Sequence, residues 1–118
     1  MSRDQFELGD VFWAPDPYNA GGDPRPWLVV TADSLPYSGE EYICAGLTLS
    51  NLPDNIELRT TDWVAGNNPD KVSYCSPWVL ATVKHDAVVG AQGHVTAEFA
   101  HEIAERSAEY LTGDCTER

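Results

Sequence analysis

The chain has 118 residues, a length that one hydrophobic core can organise, and sets 19 Asp and Glu against seven Lys and Arg for a formal net charge of −12. No window approaches the roughly 18 apolar residues of a membrane span, which excludes an integral helical membrane protein. The segment Met1-Ser2-Arg3-Asp4-Gln5-Phe6 has no apolar core of a leader peptide, so a soluble cytoplasmic protein is expected.

The acids are dispersed rather than gathered in a block, which argues against an acidic tail or a DNA mimic. Only Lys71 and Lys84 are lysines. Dispersed acid with scarce lysine points to adaptation to molar salt, where the Debye length falls to about 3 Å and a carboxylate coat repels itself little. The three cysteines, Cys44, Cys75 and Cys115, include no close pair, so neither a disulfide framework nor a zinc ribbon is indicated.

In chain order, Gly9-Asp10-Val11-Phe12-Trp13 reads as a turn entering a first strand, closed by Pro15 and Pro17, which cannot donate to a ladder. Residues 15–24 form a ten-residue connection, longer than a hairpin turn and of the kind that often binds. Residues 26–31 make a second strand, apolar enough to be buried on both faces, with Arg25 at its mouth. A polar connector leads to a long third strand at residues 41–50. Residues 56–63 alternate loosely, residues 66–70 are a loop, and residues 72–74 and 79–84 read as two strands interrupted at Ser76-Pro77. Gly90 and Gly93 bracket a further turn. The helix starts at residue 96 or 97 and runs to 111, with Thr96 as its cap, Glu98 at the positive end of the dipole, and Phe99, Ile103, Tyr110 and Leu111 on one face. Five or more short strands and one terminal helix predict a single, mainly β barrel domain.

Arg25 is the residue hardest to explain as packing. Its planar fork of five donors suits carboxylate or phosphate, and its charge cannot be titrated away. The plain alternative is an ion pair with a loop carboxylate such as Asp23, worth roughly 0 to 1 kcal/mol. Asp16 and Asp23 both adjoin prolines, where aspartate commonly serves turn hydrogen bonding. His85, His94 and His101 have no spacing suited to a metal pair, and no metal or cofactor is assigned. Any of the four tryptophans, Trp13, Trp27, Trp63 and Trp78, could stack on a base, though most read as core.

The order of these features resembles the PemK/MazF toxin endoribonucleases of type II toxin-antitoxin systems. The similarity runs from Gly9 to Leu111 and rests on Gly9-Asp10-Val11-Phe12-Trp13, on Arg25-Pro26 followed by Leu28-Val29-Val30, on Thr48 within Gly46-Leu47-Thr48-Leu49-Ser50, and on the layout of the C-terminal third. It implies a small SH3-like barrel of PemK/CcdB type with a C-terminal α-helix. It further implies a homodimer that binds single-stranded RNA along its interface, cleaves it sequence-selectively without metal, and is inhibited by a cognate antitoxin. By the same resemblance Arg25 and Thr48 act at the scissile phosphate. Asp16 and Asp23 are the candidates for proton transfer, and the resemblance makes Trp78, near the hairpin that lines the family's groove, the candidate for stacking on a base.

Two family features are missing. The first loop lacks the family's Gly-x-Glu-Gln stretch, so no glutamate base carries over and Asp23 is its neighbour in position only. Ser76-Pro77-Trp78 replaces the Arg-x-Asp pair of some relatives. Two rival functions share the fold: a toxin that traps a topoisomerase through its terminal helix, and a non-catalytic module that binds RNA or protein.

Overall fold

The computed structural model describes residues 5–19, 21–31 and 34–113; Cys115 lies outside them. Seven strands form one sheet: β1 (Asp10–Ala14), β2 (Arg25–Val29), β3 (Glu41–Thr48), β4 (Ile56–Leu58), β5 (Trp63–Ala65), β6 (Ser73–Lys84) and β7 (Gly90–Val95). Their order is β4-β6-β3-β2-β1-β7-β5, with every neighbouring pair antiparallel. The sheet curls into a nearly closed, SH3-like barrel, followed by the helix α1 (Ala97–Thr112).

Strand alternation explains why the sheet is buried on both faces. Val11, Leu28, Ala45, Leu47 and Cys75 join Phe99, Ala100 and Ile103 of α1 in one core. Phe12, Ala14, Trp27, Val29, Tyr42 and Cys44, their neighbours along the same strands, form the other. Trp27, Leu28 and Val29 are fully buried, as expected of the second strand. The Thr96 hydroxyl accepts from the Phe99 N–H at 3.2 Å and caps α1.

Four expectations are corrected. Residues 73–84 are one strand, not two: Gly46 pairs with Ser76 and Ala45 with Leu80, so Pro77, Trp78 and Val79 bulge out of the ladder. A bulge tolerates the missing N–H of Pro77. Residues 90–95 are strand rather than turn. A Cβ on Gly93 would lie 2.1 Å from the Ala65 carbonyl oxygen, so glycine is there to let β5 approach. Residues 56–63 divide into β4, a 3₁₀ turn over Thr60–Asp62 and the start of β5. On α1 the buried face is Phe99, Ala100, Ile103 and Ser107, whereas Tyr110 and Leu111 are exposed. Ser107 donates its hydroxyl to the Pro77 carbonyl at 2.7 Å, fastening the helix to the bulge.

Candidate active-site cleft

Arg25 opens β2, and β3 runs antiparallel beside it, so the chain direction brings Thr48 at the end of β3 to the same end of the barrel. Both residues line a cleft of about 310 Å³. Trp13 and Gln92 form one wall, from β1 and β7. Asn68, Lys71 and Ser73 come from the loop before β6 and its first residue.

Arg25 is fixed rather than free. Its Nη2 donates to the Leu47 carbonyl at 2.8 Å, its Nη1 faces Asp16 Oδ2 at 3.4 Å, and its guanidinium carbon stands 5.2 Å from the centroid of the buried Trp27 ring. Only two of the five donors are used in this way. The remaining N–H groups have no hydrogen-bond partner among the described residues. Thr48 Oγ1 accepts from the Ser50 N–H at 3.2 Å, which orients the hydroxyl and leaves its own hydrogen to donate.

Of the two loop aspartates, the structure brings Asp16 to Arg25. Asp16 Oδ1 also accepts from the Tyr18 N–H at 2.8 Å, so its carboxylate is held from both sides. Asp23 is exposed, and the carboxylate paired with Arg25 is that of Asp16. Trp78 does not line the cleft. It packs edge-on to Tyr110 at a centroid distance of 5.8 Å, over the helix. The exposed tryptophan at the cleft is Trp13, which the sequence had assigned to the core. Its place between buried Phe12 and Ala14 is the signal, since alternation turns it outward.

Charge distinguishes this cleft from two other depressions among the described residues. Its lining includes two cations, Arg25 and Lys71, and no carboxylate. A second depression carries Glu40, Glu41 and Asp86, and a third Asp62, Glu98, Glu102 and Glu105. Arg59, Lys84 and Arg106 are each paired with an acid, whereas Lys71 has no ion-pair partner among the described residues. In a chain of net charge −12, two cations, Arg25 and Lys71, thus share one cleft lining.

No family model matches the sequence, and no curated protein matches it. Among solved structures, an endoribonuclease in complex with its cognate antitoxin from Mycobacterial species is similar, with a TM-score of 0.64 over 91% of this chain and 93% of that one, at 18% identity. The chain has the fold of that endoribonuclease. The barrel and its terminal helix therefore agree with the fold implied by the PemK/MazF resemblance. No helix among the described residues is long and apolar enough to cross a membrane.

Proposed function

We propose that the protein is the toxin of a type II toxin-antitoxin pair, a PemK/MazF-type endoribonuclease that cleaves single-stranded RNA without a metal. The observation that carries this is the meeting of Arg25 and Thr48 in one cleft, with Asp16 paired to Arg25. Its fold-level support is the similarity to an antitoxin-bound endoribonuclease.

Metal-free cleavage makes the ribose 2′-hydroxyl attack the adjacent phosphorus. The 2′ proton goes to a base, the 5′ oxygen leaves with a proton, and the product ends in a 2′,3′-cyclic phosphate. Arg25 stabilises the charge that gathers on the non-bridging oxygens in the transition state, and the Thr48 hydroxyl donates to one of them. Asp16, held against Arg25, is the better placed aspartate for proton transfer. Lys71 holds a flanking phosphate, and Trp13 offers a face for a base. A homodimer would join two such clefts into one RNA groove, which the antitoxin occupies in the inactive complex. Because ionic attraction weakens in molar salt, stacking and directed hydrogen bonds carry much of the affinity there.

Mapping the ends produced from a long mixed-sequence RNA in EDTA tests this. Discrete cuts bearing cyclic phosphate are expected, and an intact RNA with a folded protein overturns the reading.

One observation favours a second reading. Trp78, Tyr110 and Leu111 are exposed near the C-terminal half of α1, 42%, 46% and 75% respectively, which is the surface a topoisomerase-trapping toxin would use. Inhibition of a purified topoisomerase, lost in Leu111→Glu, would support it over RNA cleavage.

A further inference from the structure

Gln92 is the one described residue with a buried side-chain oxygen that has no hydrogen-bond partner among the described residues. Its place in the ladder explains how it comes to the cleft. Val11 pairs with Gly93 and Phe12 with Ala91, so Gln92 is the extra residue of a bulge on β7. Such bulges re-aim a side chain, and Gln92 belongs to the lining that also holds Arg25, Thr48 and Trp13.

The amide is held by one long contact, Nε2 donating to the Gly66 carbonyl at 3.4 Å. That is the outer limit of a hydrogen bond, so little holds the side chain back from the outward turn that its buried Oε1 needs in order to meet a ligand. Gly66 has φ +90°, and a Cβ there would lie 2.3 Å from the Gln92 carbonyl oxygen; the loop thus closes directly onto the bulge. The Oε1 acceptor lacks a donor, and the second hydrogen of Nε2 is unused. A carboxamide in this state complements a group offering an N–H beside an acceptor, which is the edge of an unpaired nucleobase.

We propose that Gln92 reads one base of the bound RNA, its Oε1 accepting from an N–H on that base while Trp13 forms the adjoining wall. Gln92 is then a specificity residue, separate from the groups at the phosphate. The proposal rests on the endoribonuclease reading for its substrate class.

The test compares wild type, Gln92→Met and Gln92→Glu, each checked for an unchanged thermal midpoint. Cleavage sites are mapped on a long mixed-sequence RNA, and binding is measured to four 2′-O-methyl oligonucleotides, which cannot be cut and which differ at one position. Gln92→Met should lower discrimination at one nucleotide of the cleavage motif by about tenfold or more, as loss of a paired base edge does. Gln92→Glu keeps only acceptors and should shift preference toward guanine, whose N1–H and exocyclic amine offer a carboxylate two adjacent donors. An unchanged map in Gln92→Met overturns the proposal; if that variant fails to fold, an unchanged map in Gln92→Glu does so. Should wild type cut no RNA, the endoribonuclease reading falls separately and binding decides. A base preference abolished in Gln92→Met would still support the reader, and no binding, or equal binding of all four, would overturn it.

Discussion

Gly46 leaves the space that Arg25 fills: a Cβ at position 46 would lie 3.1 Å from Nη2 of Arg25 and 3.2 Å from Cγ1 of Val79. Gly46 is buried in β3, and the nearest of these atoms is the far end of the Arg25 side chain, which must shift to admit a methyl group. Gly46→Ala is therefore expected to push Arg25 off the Leu47 carbonyl by a few tenths of an ångström while the barrel stays folded. Small misplacements of a charge stabiliser are costly, and cleavage should fall roughly tenfold. The thermal midpoint and single-turnover rate, measured together, check whether the loss lies in geometry rather than folding.

Asp16 and Asp23 separate cleanly by mutation. Asp16→Asn keeps the acceptor for the Tyr18 N–H and removes the charge beside Arg25. If Asp16 moves a proton, cleavage should fall about 100-fold with RNA binding retained. Asp23→Asn, which touches an exposed carboxylate, should change the rate less than about twofold, in keeping with the small effects of exposed polar groups. Equal rates for Asp16→Asn and wild type would remove Asp16 from the chemistry.

Much of this arrangement was legible beforehand. Arg25 and Thr48 stood out through the resemblance, and β1, β2 and α1 through apolar periodicity and turn residues. The rest was hidden for specific reasons. Gly93 looks like a turn residue because sequence shows a missing side chain and not the β5 backbone that needs the space. Pro77 looks like a strand break because a bulge opposite Gly46 is a property of the partner strand. Lys71 and Gln92 sit far from Arg25 along the chain, and only closure of the barrel brings them to one cleft. Tyr110 and Leu111 fit the apolar face of α1, yet the buried stripe includes Ser107, held by its bond to Pro77, and leaves those two exposed.

Salt should affect RNA binding modestly. Two cations line the cleft, and two phosphate contacts at about −0.7 each give a slope of roughly −1.4 in log affinity against log KCl per cleft. Lys71→Ala should make the slope about 0.7 shallower, while Lys84→Ala, which breaks an exposed pair with Glu41, should leave it unchanged. A titration from low to molar KCl with a 2′-O-methyl RNA measures both. A slope several units steeper would show that surface cations outside the cleft carry the binding.

Burial pushes the Cys44 and Cys75 thiols well above their ordinary range; for Cys75 the nearby Arg25 charge opposes this only in part. Unfolding releases thiols that ionise near pH 8.5, whereas the folded chain keeps them protonated. Stability from this source is thus complete below about pH 8.5 and declines as pH rises beyond it, because the unfolded state then binds fewer protons. In a Cys115→Ser background, both remaining thiols should resist a thiol reagent at pH 7.5 until the protein unfolds. Rapid labelling of the folded protein would contradict their placement in the two cores.

The most direct measurement is cleavage of a long mixed-sequence RNA, in EDTA, by folded wild type, Arg25→Ala and Thr48→Val. Discrete products are predicted for wild type, with losses of about 100-fold or more on removing Arg25 and about tenfold or more on removing the Thr48 hydroxyl, the scale of lost transition-state donors. Wild-type rates retained in Arg25→Ala would show that the cleft described here is not where the RNA is cut.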